Sequence, residues 1–238
     1  MPRIFTIEGN IGSGKSTLLA NLKEHYKNNA DIIFLQEPVD EWESIRDADG
    51  NTMLQKFYQD QTKYSFPFQM MAYISRLALL KQACAENPDA IIITERSLYT
   101  DKYVFAQMLF DDGFIEDVNY QIYKKWFDTF ASEYPIHGII YVNTDYNICD
   151  VRIKLRSRDG ESNIPLEYLE NCGTYHDSMM NVIVSVKEKM ILDGNIDIYS
   201  SPMVLWDWIE RINKYLHEPP SFQRSYERIN EQANDLIT

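Results

Sequence analysis

The 238-residue chain is 45% hydrophobic and 13% aromatic, enough apolar material for a sizeable core, so one α/β domain is the default expectation. With 23 Lys/Arg against 36 Asp/Glu the net charge is −13, which argues against a nucleic-acid polymer as partner; a small anion held by backbone N–H groups and a few arginines stays possible. Cys84, Cys149 and Cys172 lack metal-type spacing and read as reduced thiols, no apolar run approaches the ~20 residues of a membrane span, and Met-Pro-Arg leads directly into an apolar segment, so neither a membrane partner nor a signal peptide is expected and a cytoplasmic location is.

Taken in chain order, apolar runs rich in Ile, Val and Phe predict buried parallel strands at 3–8, 31–36, 90–94 and 138–142, with a fifth near 189–193. Helical patterns fall between them, at 15–29, 51–60, 66–86, 99–110, 117–132, 145–157, 165–180 and 202–216. In the 66–86 segment, Met70, Tyr73, Ile74, Leu77 and Leu80 recur at helical spacing and predict the core-facing stripe. This βαβ alternation predicts a doubly wound parallel sheet of about five strands in one domain over 1–217, followed by a polar tail over 218–238.

Between the first strand and first helix lies Gly9-Asn10-Ile11-Gly12-Ser13-Gly14-Lys15-Ser16, followed by Thr17, which fits G-x-x-x-x-G-K-[ST]. Glycines at these places let successive backbone N–H groups turn onto phosphate oxygens. Lys15 then reaches the β/γ-phosphates and the Ser16 hydroxyl ligates Mg²⁺. The strand before and helix after are the context the motif needs. A phosphate loop implies a nucleotide donor such as ATP; it does not identify the acceptor.

In an open parallel sheet, ligands bind at the carboxyl ends of the strands. Two such ends carry acids: Gln36-Glu37-Pro38-Val39 and Thr94-Glu95-Arg96-Ser97. Phosphoryl transfer to a hydroxyl needs a carboxylate beside the attacking oxygen, a cation for the developing charge and a metal on the donor phosphates. Glu37, Arg96 and Glu95 suit these three roles. Arg152 and Arg156 lie one helical turn apart on a shared face, and Arg158 follows in the polar, glycine-containing stretch 157–163. The expectation is an arginine-bearing lid, about 156–163, closing over the phosphates.

Together, IEGNIGSGKST, EPVDEW, SFPFQ…SR, ERSLYTDKYVF and RIKLRSRDGESNIPLEYLE resemble the deoxynucleoside kinase family, in family order across most of residues 3–198. The resemblance implies an ATP- and Mg²⁺-dependent kinase in which Glu37 activates the sugar 5′-hydroxyl, Arg96 contacts that oxygen and Glu95 serves the metal. It implies that Trp42, Phe68 and Phe105 wall the base pocket while Gln69 bonds the base edge. Tyr58 and Glu161 would meet the 3′-hydroxyl, and Asp197 would lie near the donor adenine. Two departures stand out. The lid reads Asp159-Gly160-Glu161 where two adjacent acids are usual, and Ile198 stands where an aromatic is usual.

Arg76 and Asp101 match a charged pair that cytidine- and purine-preferring members carry beside the base. The pair would crowd the space a thymine methyl needs, so deoxycytidine, deoxyadenosine or deoxyguanosine is expected over thymidine. The resemblance also implies a homodimer built through helices near 66–86 and 117–132. Thymidylate kinases share the fold and loop but typically carry an Arg-Glu-Pro-Gly-Gly-type segment and an Asp-Arg pair, which this chain lacks. A catalytically silent relative would be expected to lose Lys15 or Glu37, and both are present.

Overall fold

The computed structural model describes residues 1–156, 164–182 and 189–217. Strands β1 (Arg3–Glu8), β2 (Ile32–Leu35), β3 (Ile91–Glu95), β4 (Ile136–Asn143) and β5 (Lys189–Asp193) form one parallel sheet in the order β2-β3-β1-β4-β5. The fold class expected from the βαβ pattern is the one observed. Along each inner strand, alternate side chains enter different layers. Ile4 and Ile92 point to one face, while Phe5, Ile7, Ile91 and Ile93 point to the other. Both faces are apolar, so both must be covered, and this explains why the strands read as continuous hydrophobic runs.

The helices are α1 (Lys15–His25), α2 (Val39–Ser44), α3 (Met53–Gln59), α4 (Gln61–Glu86), α5 (Leu98–Thr100), α6 (Gln107–Asp111), α7 (Asp117–Phe130), α8 (Tyr146–Arg156), α9 (Leu166–Val182) and α10 (Pro202–His217). Leu18, Leu19 and Leu22 of α1 and Trp208, Ile209, Ile212 and Leu216 of α10 cover one face. Residues of α2, α3, α4 and α7 cover the other, among them Trp42, Phe57, Phe68, Tyr73, Tyr123 and Phe127. The chain passes from β1 to strands on one side, then crosses β1 to β4 and β5 on the other. That reversal opens a crevice at the carboxyl end of β1, where the phosphate loop sits.

Several elements differ from expectation. The first helix stops at His25, with Tyr26 as cap, rather than running to 29. The EPVDEW stretch holds a short helix, α2, that begins just after Pro38; proline at a helix start costs no hydrogen bond, so it does not mark a loop there. Helix α4 starts at Gln61, five residues earlier than expected, with the Asp60 side chain accepting from the Lys63 N–H. Of the expected stripe, Tyr73 and Leu80 are buried and Met70 and Leu77 pack against the core, but Ile74 is 53% exposed, and Gln69, Ser75 and Arg76 are buried beside them. Between α5 and α6, Asp101–Ala106 winds as a π-helical segment, a distortion that hydrophobic spacing does not signal. The expected lid beyond Arg156, the residues Arg158, Asp159, Gly160 and Glu161, and the 218–238 tail lie outside the described residues.

Candidate active site

The phosphate loop is fixed by close backbone approaches. Gly9 has φ +147°, and a Cβ there would stand 2.6 Å from the Val142 carbonyl oxygen; at Gly12, φ +77°, a Cβ would meet the Cys149 carbonyl oxygen at 2.6 Å. Helix α8 therefore crosses directly over the loop, and only glycine admits it. Asn10 turns its side chain outward, donating from Nδ2 to the Leu169 carbonyl oxygen of α9 at 2.7 Å. Arg152 braces the loop's other side, with Nη1 donating to Ser13 O at 3.2 Å and Gly194 O at 2.8 Å.

Lys15 is 4% exposed, and its Nζ donates to Asn10 O at 2.6 Å. Burial, with the positive charge of Arg96, pulls its pKa down to about 7. The Ser16 hydroxyl donates to Glu95 Oε1 at 2.5 Å, so the first turn of α1 and the end of β3 present a paired hydroxyl and carboxylate.

At the end of β3 the chain turns sharply. Arg96 takes φ 63°, and among the described residues it is the non-glycine with positive φ. Such a conformation costs on the order of 1–3 kcal/mol and persists where the surroundings dictate it. Here Arg96 Nη1 donates to Gly9 O at 2.9 Å, its Nε lies 3.4 Å from Glu37 Oε1, and its guanidinium covers the Phe105 ring at 4.9 Å. Glu37, just beyond β2, is also held by Arg76, whose Nη2 is 3.0 Å from the same oxygen. Burial pushes the Glu37 carboxyl up, but Arg96, Arg76 and Lys15 together outweigh it and hold it at about 2. Glu37 is therefore ionised at any working pH.

Arg76 joins three elements. From α4 its Nε donates to Asp101 Oδ2 at 3.0 Å and its Nη1 to Glu95 O at 2.8 Å, while Nη2 reaches Glu37. Asp101 is 1% exposed; burial lifts its carboxyl to about 6, with the Arg76 charge opposing that rise.

These groups line one cavity of ≈ 740 Å³. It contains Ile11, Gly12, Ser13, Gly14, Lys15, Ser16 and Thr17 of the phosphate loop. Glu37, Glu95, Arg96, Arg76 and Asp101 line it too. Trp42, Tyr58, Phe68, Gln69 and Phe105 form its apolar end, and Arg152, Arg156 and Asp197 also line it. Gly9 and Asn10 stand behind the wall, acting through the loop backbone. In the apolar end Phe68 stacks on Phe57 at 4.7 Å and meets Trp42 edge-on at 5.8 Å, while the Trp42 indole N–H donates to Ser75 Oγ at 2.8 Å. Gln69 is 2% exposed, and its Oε1 has no hydrogen-bond partner within the protein. A buried amide oxygen without a partner, beside stacked aromatic rings, is suited to receive a donor from a flat ligand.

The sequence reading missed wall residues such as Phe57, Tyr168 and Tyr199, and also His176 behind the wall. Phe57 and Tyr168 sit at helical apolar positions that core packing explains equally well. Leu169, Cys172, His176 and Met179 share one buried face of α9, so the spacing marks His176 as inward-facing; it gives no sign of what the ring touches. Among the described residues, no three His, Cys, Asp or Glu side chains gather as a metal centre, and no helix is long and apolar enough to cross a membrane.

Residues 5–217 match the deoxynucleoside kinase family. The chain is 35% identical to deoxycytidine kinase 2 of Gallus gallus over 75% of its own length and 74% of that protein's. It is also 35% identical to a probable deoxycytidine kinase of fowlpox virus, over 74% of this chain and 71% of the relative. Mitochondrial thymidine kinase 2 of Macaca fascicularis is 32% identical over 74% of this chain and 64% of that protein. A phosphate loop, an acid-and-arginine centre and an aromatic cleft thus occur together with a match along nearly the whole described length: the chain belongs to the deoxynucleoside kinase family and is an ATP-dependent nucleoside kinase.

Proposed function

We propose that the chain transfers the γ-phosphate of ATP to the 5′-hydroxyl of a deoxynucleoside, preferring deoxycytidine, deoxyadenosine or deoxyguanosine over thymidine, in nucleotide salvage. The observation that carries the preference is the buried Arg76–Asp101 pair, which lines the same cavity as Gln69 and the aromatic rings. A fixed guanidinium and carboxylate offer donors and acceptors to a base edge and leave little tolerance for a methyl group. The deoxycytidine kinases among the relatives support the same choice, though a thymidine kinase stands close behind them.

In this reading the base lies between Trp42, Phe68 and Phe105, with Gln69 on its edge, and Tyr58 faces the sugar. Glu37 orients the 5′-hydroxyl and accepts its proton. With its pKa at about 2 it is a weak base, which suits a loose transition state in which the proton leaves late. Lys15 exchanges the Asn10 carbonyl for donor phosphate oxygens, regaining its full charge beside them. Arg96 holds developing charge near the attacking oxygen, and Arg156 with Arg152 lies at the donor end, where Asp197 faces the adenine. Arg158 and Glu161 keep the lid and sugar roles that the resemblance implies.

Mg²⁺ is a hard cation that takes oxygen ligands, and the Ser16 hydroxyl and Glu95 carboxylate are the residues that would hold it. When bound, the ion neutralises charge on the donor phosphates. Residues 1–217 act as one kinase domain, and two copies pair through α4 and α7. What favours that pairing is an exposed apolar stripe, Ile74 on α4 with Val118, Ile122 and Trp126 on α7, the last three spaced one helical turn apart.

The reading is tested by incubating the protein with deoxycytidine, ATP and Mg²⁺ and identifying the product. A 5′-monophosphate is expected, and Glu37→Gln should lower kcat by roughly 10²–10⁴-fold. Phosphate on another hydroxyl, or an undiminished kcat in the variant, would overturn it.

A further inference from the structure

We infer that His176 is a positioning residue for phosphoryl transfer: its Nε2 lone pair receives an Arg96 N–H and locks the guanidinium against the phosphate loop. The inference rests on the reading of Arg96 as the cation beside the attacking oxygen.

His176 projects from α9 and is fully buried. Its Nδ1 lies 2.7 Å from the Cys172 carbonyl oxygen, and its Nε2 lies 3.4 Å from Arg96 Nη1. A carbonyl oxygen only accepts, so Nδ1 carries the proton. Arg96 only donates, so a proton on Nε2 would set two donors face to face. The Gly9 carbonyl oxygen also faces the ring, but it already accepts from Arg96 Nη1 at 2.9 Å, so Cys172 O and Arg96 select one tautomer, neutral, with the Nε2 lone pair toward Arg96. Burial and then the Arg96 charge hold the ring's pKa well below the ordinary histidine value, so this neutral form persists.

The same Arg96 Nη1 also donates to Gly9 O at 2.9 Å, the carbonyl that opens the phosphate loop. Phe105 packs on the guanidinium at 4.9 Å and meets the His176 ring edge-on at 6.3 Å, while Tyr141 stacks on the ring's other side at 6.4 Å. Arg96 is thus fixed by Glu37 on the substrate side and by Gly9 and His176 behind. Asn10 adds a second tie, since its Nδ2 donates to Leu169 O of the same helix α9. Helix α9 consequently backs both the loop and the arginine. The function needs a guanidinium that does not move when Glu37 changes partner from arginine to hydroxyl, and His176 supplies the fixed contact.

The test compares His176→Gln with His176→Phe in the full-length protein. Gln places an acceptor where Nε2 lies. Phe keeps a flat ring between Phe105 and Tyr141 and removes both nitrogens, with His176→Leu as the alternative should Phe overpack. Phe is expected to lower kcat on the order of 10- to 100-fold while KM for ATP stays within about twofold, and Gln should recover most of the rate. In an Arg96→Ala background His176→Phe should cost nothing further. Equal losses in Gln and Phe, or a full additional loss in the Arg96→Ala background, would assign His176 a merely structural role. An undiminished rate in Arg96→Ala itself would instead overturn the reading of Arg96. Without any substitution, long-range ¹⁵N–¹H correlation spectra report the tautomer: Nδ1–H is expected, and Nε2–H would contradict the inference.

Discussion

Replacing Arg76 by methionine removes the guanidinium and leaves Asp101, 1% exposed, with its main counter-charge gone. Breaking a buried pair from one side costs about 3–5 kcal/mol, because the remaining charge is left unsolvated. For a chain of this size each kcal/mol lowers Tm by roughly 2–4 °C, so Arg76→Met should melt about 6–20 °C below the parent. Arg76→Met with Asp101→Ala removes the stranded charge together with its partner and should recover about 2 kcal/mol or more of that loss. The pH dependence follows from Asp101, already lifted to about 6 by burial with Arg76 present. A carboxyl raised in the folded state contributes stability that is present at low pH and lost as pH rises through the folded pKa. Without Arg76 that pKa rises further, so the gap between Arg76→Met and the parent should widen from pH 6 to pH 8. Thermal melts of the three proteins across that range measure this directly. Equal destabilisation of the single and double variants, with no pH dependence, would refute the argument that Arg76 is held by charge rather than by packing.

Lys15 yields a second expectation. With its pKa lowered to about 7, it is mostly neutral at pH 8, and a bound triphosphate restores the charge, so ATP binding should take up close to one proton at pH 8 and much less at pH 6. Calorimetry in two buffers of different ionisation enthalpy measures this, and Lys15→Met should abolish the uptake. On the proposed α4/α7 pairing, the parent is expected to give twice the 28.0 kDa chain mass by light scattering and Ile122→Lys with Trp126→Glu to give 28.0 kDa; an equal mass for the two would exclude this face as the dimer contact.

The phosphate loop was legible because its chemistry is contiguous: eight residues carry the turn, the lysine and the hydroxyl, and strand and helix signals flank them. The sheet was legible because strands buried on both faces leave unbroken apolar runs. The α4 face was legible only in part, since that helix lines a polar cavity. Tyr73 and Leu80 do pack into the core, but the buried side also holds Gln69, Ser75 and Arg76 while Ile74 faces outward, so hydropathy alone finds only part of the buried face. Arg76 and Asp101 were named through family resemblance, but nothing in spacing revealed that Arg76 also grips Glu37. The His176 contact was likewise hidden, because it depends on the positive φ of Arg96 and on α9 crossing behind the loop. Tertiary placement makes these contacts, and local sequence carries no record of it.

Substrate choice is the central claim, and competition measures it most directly. Equal concentrations of deoxycytidine, deoxyadenosine, deoxyguanosine and thymidine are mixed with ATP, Mg²⁺ and limiting protein, and the 5′-monophosphates are quantified by mass spectrometry at low conversion. Their initial ratios are ratios of kcat/KM. Thymidine monophosphate is expected to trail at least one of the other three, and to gain relative to them in Arg76→Met with Asp101→Ala. Thymidine monophosphate as the leading product of the unmutated protein would contradict the assignment of Arg76 and Asp101 as the pair that selects the base.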